Sequence, residues 1–224
     1  KIDVVVHTAG RYGRDSCGIV KMLESNVIFG ARLLDACQKY NTNIFVNTDT
    51  MLQPYLNSYS LSKKHFVDWL KQHSEGVKII NLRLEHMYGT KDDDRKFVSW
   101  VLSQLKSDVS EIKLTSGEQK RDFIFIDDVV SAFLTVLEKR ETLPKFSEFD
   151  VGTGQLTSIR KFVEKIAFLY RKTNPKSKTK LLFGAIPYRK GEAMSVYVDI
   201  SNLKKIGWQP KIFLDDGLSK IIQE

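Results

Sequence analysis

A parallel α/β sheet followed by a smaller second domain is the fold class this sequence predicts. Three observations predict it. Short β-branched or apolar runs alternate with helix-periodic segments from Ile2 to Gly89. The connections between these segments are short, which in an α/β chain implies parallel strands joined by right-handed crossovers. Beyond Gly89 the pattern breaks into short helices and strands separated by charged and turn-forming residues.

Each element has a local reason. Ile2 to Val6 is a β-branched run suited to a strand covered on both faces, and Thr8-Ala9-Gly10 ends it. Asn26 to Lys39 carries helical periodicity through Val27, Ala31, Leu34 and Ala36, and Ile44-Phe45-Val46 reads as the next strand. A loop containing Gln53-Pro54 leads into a helix from Tyr59 to His73, with Phe66, Trp69 and Leu70 expected to face inward. Val77 to Leu82 is a third strand. Further on, Phe97 to Leu105, Val129 to Leu137 and Ile159 to Tyr170 read as helices, with strands at Ile112 to Leu114 and Phe149 to Val151. The expected division is a core over residues 1–89 and a mainly separate domain over 90–224, with the stretch around 123–151 returning to the core sheet. No internal repeat and no low-complexity tract interrupts this pattern.

Composition narrows the class. At 224 residues and 42% hydrophobic, the chain can bury a sizeable core. No apolar run reaches the roughly 18 residues of a membrane span, and the first residues lack the pattern of a signal peptide. Two cysteines, Cys17 and Cys37, make no disulfide framework, so a reduced, cytoplasmic setting is expected. His7, His65, His73 and His86 show no metal-ligand spacing, and no metal is expected. The net charge of +8 favours anionic partners. The densest basic stretch, Arg171 to Lys180, has no interleaved aromatics and reads as a solvated loop, so nucleic acid is not an expected partner.

Tyr59 and Lys63 carry the strongest chemical signal. Four residues apart on a helix, their side chains lie on one face. Free tyrosine titrates near pH 10, whereas a general acid or base works best near the operating pH. A close ammonium favours the phenolate, and lowering the pKa by about 3 units corresponds to roughly 4 kcal/mol. The spacing therefore predicts a tyrosine made useful by its lysine.

One expected feature is missing. Doubly wound sheets that bind dinucleotides carry a glycine-rich phosphate turn after the first strand. No such run occurs here, and the chain opens on a strand. Two leading strand–helix units, roughly 60 residues, would ordinarily come first. Either this is a piece of a longer chain or the unit has been lost.

Several ordered motifs now point one way. Val5-Val6-His7-Thr8-Ala9-Gly10 resembles the strand and loop that line the cofactor in the extended short-chain dehydrogenase/reductases, with Thr8 and Ala9 beside it. Glu24-Ser25-Asn26-Val27 resembles the start of that family's next helix, with its Asn-Val pair, and a gapless count forward places Thr50 on the family's catalytic Ser/Thr position. Tyr59 and Lys63 form Y-x-x-x-K. Leu82 to Gly89 resembles L-R-x-x-N-x-Y-G with His86 at the N position, Gly117 to Asp128 matches G-x-x-x-R-D-F-x-x-x-D-D, and Gly207-Trp208-Gln209-Pro210 matches G-W-x-P. In this order the motifs resemble the extended short-chain dehydrogenase/reductases, the NAD-dependent epimerase/dehydratase family of nucleotide-sugar enzymes. The implied fold is a Rossmann-like doubly wound parallel sheet, here without its first strand–helix units, plus a smaller C-terminal substrate domain.

The resemblance implies roles. Tyr59 transfers the proton, Lys63 lowers its pKa and holds the nicotinamide ribose, and Thr50 hydrogen-bonds the same sugar oxygen. Leu84 and Met87 fall where the family packs its nicotinamide. His86 stands where an Asn usually touches the substrate, and Arg121 and Arg189 are the implied clamps on its diphosphate. Trp208 is expected in the core. The implied cofactor is NAD or NADP (NADPH for a reductase), and the implied partner is a nucleotide-diphosphate sugar. Pairing of the Tyr59 helix with its twin in a homodimer is also implied. Thr50 is followed by Met51 and Leu52, not the Asp-Glu of the sugar dehydratases, so no dehydratase activity is expected. Phe45 to Thr50, Arg83 to His86 and Gly117-Glu118-Gln119 are similar to the CDP-abequose synthase-like reductases, which reduce a CDP-4-keto-3,6-dideoxyhexose for O-antigen synthesis. Two alternatives stay open: a 4-epimerase that keeps NAD bound, and a truncated, non-catalytic binding relative. For the latter, loss of the glycine-rich turn removes the amides that neutralise a pyrophosphate.

Overall fold

The computed structural model describes residues 1–12 and 18–223, so Cys17 lies outside the described residues. The chain begins with β1 (Val4–His7), α1 (Ile19–Leu23), a π-helical turn at Glu24–Ile28, α2 (Phe29–Lys39), β2 (Ile44–Thr50), α3 (Ser58–Gln72) and β3 (Lys78–Leu84). Next come β4 (His86–Tyr88), α4 (Phe97–Lys106), β5 (Glu111–Leu114), β6 (Lys120–Arg121), β7 (Phe123–Phe125) and α5 (Ile126–Lys139). It ends with β8 (Phe146–Val151), β9 (Thr157–Ser158), α6 (Ile159–Thr173), β10 (Lys180–Phe183), α7 (Ser201–Lys205) and α8 (Leu214–Gln223).

Two compact units form. The first comprises Lys1–Glu85, Ala132–Val151 and Ile200–Trp208; the second comprises His86–Ser131, Gly152–Asp199 and Gln209–Glu224. In the first unit β1, β2, β3 and β8 lie in that order, every pairing parallel. This is the doubly wound parallel architecture the alternating sequence predicts. β2 is buried along its whole length, as a strand covered on both faces must be. Phe45, Phe66, Leu70 and Ile79, none of them exposed, form the core beneath α2 and α3. Gly30 lets those helices meet, since a Cβ there would stand 2.5 Å from the Phe66 ring.

The second unit has its own core. Val101 and Leu105 of α4 pack with Phe162 and Ile166 of α6, and the Phe123 and Phe162 rings stack with centroids 3.5 Å apart. β4 pairs with β7, β5 with β10 and β6 with β9. Of the stretch 123–151, it is β8 that enters the four-stranded sheet, while Phe123–Phe125 pairs with β4.

Some expectations need correction. Trp69 is 56% exposed and does not face inward with Phe66 and Leu70, because the buried stripe of α3 is narrower than its apolar residues suggest. The helical region before β2 starts at Ile19, well ahead of Asn26. The π-helical turn shifts its register, and the exposed Ile19 and Val20 hide its periodicity. Arg171 to Lys180 is a loop only in part: α6 runs to Thr173 and β10 starts at Lys180. Trp208 is buried, as a core residue should be.

Candidate active site

Strand β2 begins apolar and ends polar: Ile44-Phe45-Val46, then Asn47-Thr48-Asp49-Thr50, all buried. Burying polar groups is costly unless they find partners. Asn47 donates its amide to Asn81 Oδ1 at 2.8 Å, and the Thr48 hydroxyl donates to the His7 carbonyl at 3.1 Å. The Lys64 ammonium contacts Asp49 Oδ2 at 2.6 Å and donates to the Thr50 carbonyl at 2.5 Å. Thr50 Oγ1 accepts the Leu52 N–H at 3.2 Å, which leaves its hydroxyl proton available to a further acceptor. Thr50 thus closes a strand at its carboxyl end, the edge where open α/β sheets bind ligands.

Helix α3 starts where its cap dictates. Asn57 accepts the Ser60 N–H at 2.8 Å, and Ser60 Oγ accepts the Asn57 N–H at 3.3 Å, a reciprocal capping box. Ser60 also donates to the Pro54 carbonyl at 3.2 Å, tying the loop to the helix. Tyr59 therefore sits in the first turn, with Lys63 on the same face. Tyr59 is partly buried and Lys63 is only 2% exposed.

The electrostatics correct the expectation for this pair. The Tyr59 pKa is raised, not lowered: burial is the largest cause, followed by the hydrogen-bonded phenol of Tyr12 and then the charge of Asp49. The Lys63 pKa falls to about 8, chiefly through burial, with Asp49 opposing and Lys64 assisting. His7, packed against Phe29, Phe45 and Phe66, falls to about 4 through burial and then the Lys63 charge. Desolvation is the largest cause at all three groups.

Thr8 and Ala9 are exposed just past the end of β1, and Leu84 is half-buried at the end of β3. Together with Thr50 they line the carboxyl edge of one parallel sheet. A buried ammonium at that edge is suited to the ribose hydroxyls of a dinucleotide, so these residues fit the nicotinamide-ribose half of NAD or NADP. Among the described residues no group of three or more His, Cys, Asp or Glu is placed to hold a metal ion. Among the described residues no helix is long and apolar enough to cross a membrane.

The remaining candidates lie in the second unit. His86 and Met87 are half-buried on β4, the His86 ring 5.7 Å from Phe123 and edge-on to it. Arg121 on β6 is 3% exposed, while Arg189 lies on the surface. Both guanidinium groups pair with one carboxylate: Arg121 Nη2 with Glu192 Oε1, and Arg189 Nε with Glu192 Oε2 at 2.6 Å. One carboxylate thus bridges the two guanidinium groups.

Sequence reasoning passed over four residues here: Tyr12, Lys64, Asp49 as an ion-pair partner, and Glu192. The Tyr12 ring stacks on Tyr59 with centroids 4.6 Å apart. Glu192 lies three positions after Arg189, a spacing that was visible, but its pairing with Arg121 spans 71 positions. Nothing periodic marks Tyr12.

Residues 1–152 match the model of the NAD dependent epimerase/dehydratase family. The chain is 34% identical over 227 residues to the CDP-abequose synthase of Salmonella typhimurium, covering 98% of this chain and 75% of that one. It is 33% identical over 231 residues to the CDP-abequose synthase of Salmonella muenchen, covering 99% and 76% respectively. Among solved structures, a UDP-glucuronic acid 4-epimerase from Bacillus cereus in complex with UDP-glucuronic acid and NAD superposes with a TM-score of 0.83. That match covers 99% of this chain and 74% of the epimerase at 24% identity, and it shows the shared fold. Other neighbours of this fold are complexed with NADPH or with NAD.

Proposed function

We propose that this chain, which belongs to the NAD-dependent epimerase/dehydratase family of nucleotide-sugar enzymes, reduces the 4-keto group of a CDP-3,6-dideoxyhexose, as its similarity to the CDP-abequose synthases suggests. The observation that carries the reading is the Lys64 ammonium, next to Lys63 on α3, donating to the Thr50 carbonyl at the carboxyl end of β2. When bound, the nicotinamide of NADPH supplies the hydride. The protein's part is proton and position. Tyr59 donates its proton to the sugar oxygen, Thr50 donates a hydrogen bond to the same oxygen, and Lys63 holds the nicotinamide ribose. Thr8, Ala9, Leu84 and Met87 border the cofactor. His86 contacts the sugar, and Arg121 and Arg189 take the diphosphate once Glu192 yields it.

The raised proton affinity of Tyr59 keeps the phenol protonated near neutral pH, which is the form a reduction starts from. A phenol that keeps its proton suits an oxygen gaining negative charge. A 4-epimerase must begin by taking a proton from a sugar hydroxyl, which calls for phenolate. The test is NADPH consumption by the purified protein with a CDP-4-keto-3,6-dideoxyhexose. Oxidation of one NADPH per sugar is expected, with loss of on the order of 10³-fold in kcat/KM for Tyr59→Phe. Interconversion of 4-epimers without net consumption of NADPH would refute the assignment.

A further inference from the structure

We propose that Tyr12 is a positioning residue for the proton transfer: its phenol, stacked on Tyr59 and hydrogen-bonded to it, keeps the Tyr59 hydroxyl as a proton donor. The proposal deepens the reductase reading and rests on it for the direction of the proton. The rings lie 4.6 Å apart at 27° between planes, and the two side chains share a hydrogen bond.

Tyr12 is held there by a purpose-shaped connection. Asn26, fully buried within the π-helical turn, clasps the backbone of the preceding residue: its Oδ1 accepts the Arg11 N–H at 2.7 Å and its Nδ2 donates to the Arg11 carbonyl at 2.9 Å. The same Nδ2 donates to Ser62 Oγ at 2.9 Å, and Ser62 Oγ donates to the Tyr59 carbonyl at 2.8 Å. One buried amide therefore joins the segment carrying Tyr12 to the helical turn carrying Tyr59. A π-helical turn spends helical regularity to aim a side chain, and such turns recur at functional sites. Burial of Asn26 makes the clasp stiff, because its amide has no water to turn to.

Among the described residues, the groups facing Tyr59 are few. Tyr12 comes from the segment after β1, Asp49 from β2, and Lys63 stands one turn along α3, while Lys64 neutralises part of the Asp49 charge. Burial, Tyr12 and Asp49 all oppose the phenolate. Of these only Tyr12 can be altered without emptying the core or breaking an ion pair, since it is 50% exposed.

The experiment compares wild type, Tyr12→Phe and Tyr12→Ala by two measurements. The first is the pH dependence of kcat/KM for NADPH-dependent reduction, whose upper alkaline limb, beyond the Lys63 titration near 8, reports loss of the Tyr59 proton. The second is an ultraviolet titration of tyrosinate, with the Tyr59 component taken as the difference from Tyr59→Phe. Expected is an alkaline limb and a Tyr59 titration about one pH unit lower in Tyr12→Phe, and lower again in Tyr12→Ala. Limbs and titrations that coincide with wild type would overturn the proposal, even if rates fell. The titration uses no substrate, so it judges Tyr12 even where a failure to consume NADPH has already sunk the reductase reading.

Discussion

Replacing Lys63 by Met separates what this residue does for chemistry from what it costs the fold. Its side chain is 2% exposed, and burial takes its pKa from 10.5 down to about 8. At about 1.4 kcal/mol per pH unit, that fall means the folded chain carries the ammonium at a cost of roughly 3 kcal/mol. The sign follows from linkage. Below about pH 8 Lys63 is charged in both folded and unfolded chains, and the whole cost is present. As pH rises from about 8 to 10.5 the folded chain gives up the proton first, and the cost drains away. Methionine has similar volume and no charge. Lys63→Met is therefore expected to gain up to roughly 3 kcal/mol of unfolding free energy at pH 7 and little near pH 10.5, while kcat/KM falls by about 10²-fold or more. Urea unfolding of nucleotide-free wild type and variant across that range is the assay. A variant no more stable than wild type at pH 7, or a gain that does not shrink as pH rises, would refute the reasoning.

Two further substitutions probe the structure around the site. His7 is buried and its pKa falls from 6.5 to about 4, so below pH 6.5 the unfolded chain takes up a proton the folded chain refuses. As pH drops from 6.5 to about 4, wild type should lose roughly 3 kcal/mol more than His7→Leu in paired denaturant titrations; parallel losses would contradict the burial of a neutral imidazole. Asp122 is fully buried; its Oδ1 accepts the Thr153 N–H at 2.8 Å and hydroxyl at 2.6 Å, and its Oδ2 accepts the Gly154 N–H at 2.6 Å. Asp122→Ala strands those donors and should cost about 3 kcal/mol or more by thermal or urea unfolding; a change within about 0.5 kcal/mol, typical of a surface position, would show that the turn after β8 stands without it.

The parallel sheet was legible because its signals are local. β-branched runs at Ile2 to Val6 and Val77 to Leu82, with helix periods between, leave few ways to bury both faces of each strand. The edge of a buried stripe is less legible, and Trp69 shows why. Periodicity locates the centre of an apolar face but does not say how far a neighbouring helix extends over it. The π-helical turn at Glu24–Ile28 was hidden because one extra residue in a turn breaks the very period used to find helices. Spacing placed Tyr59 and Lys63 on one helix, yet gave no hint of Glu192 between Arg121 and Arg189, since that meeting depends on segments far apart in the chain.

The sign of the Tyr59 shift was the least legible feature, and it carries the chemistry furthest. Sequence spacing supplies a cation beside a phenol but says nothing about the dielectric around them. In water the two groups titrate within about half a pH unit of each other. Burial acts on them oppositely, since it disfavours whichever form is charged: it lifts the phenol and depresses the amine. With pH rising, Lys63 therefore releases its proton near 8, before Tyr59 does, and the cation that would stabilise a phenolate is gone when it would be needed. An arrangement of this kind is poor at making a base out of Tyr59 and keeps its phenol protonated. In the proposed reduction, the phenol therefore meets the sugar oxygen in its protonated form.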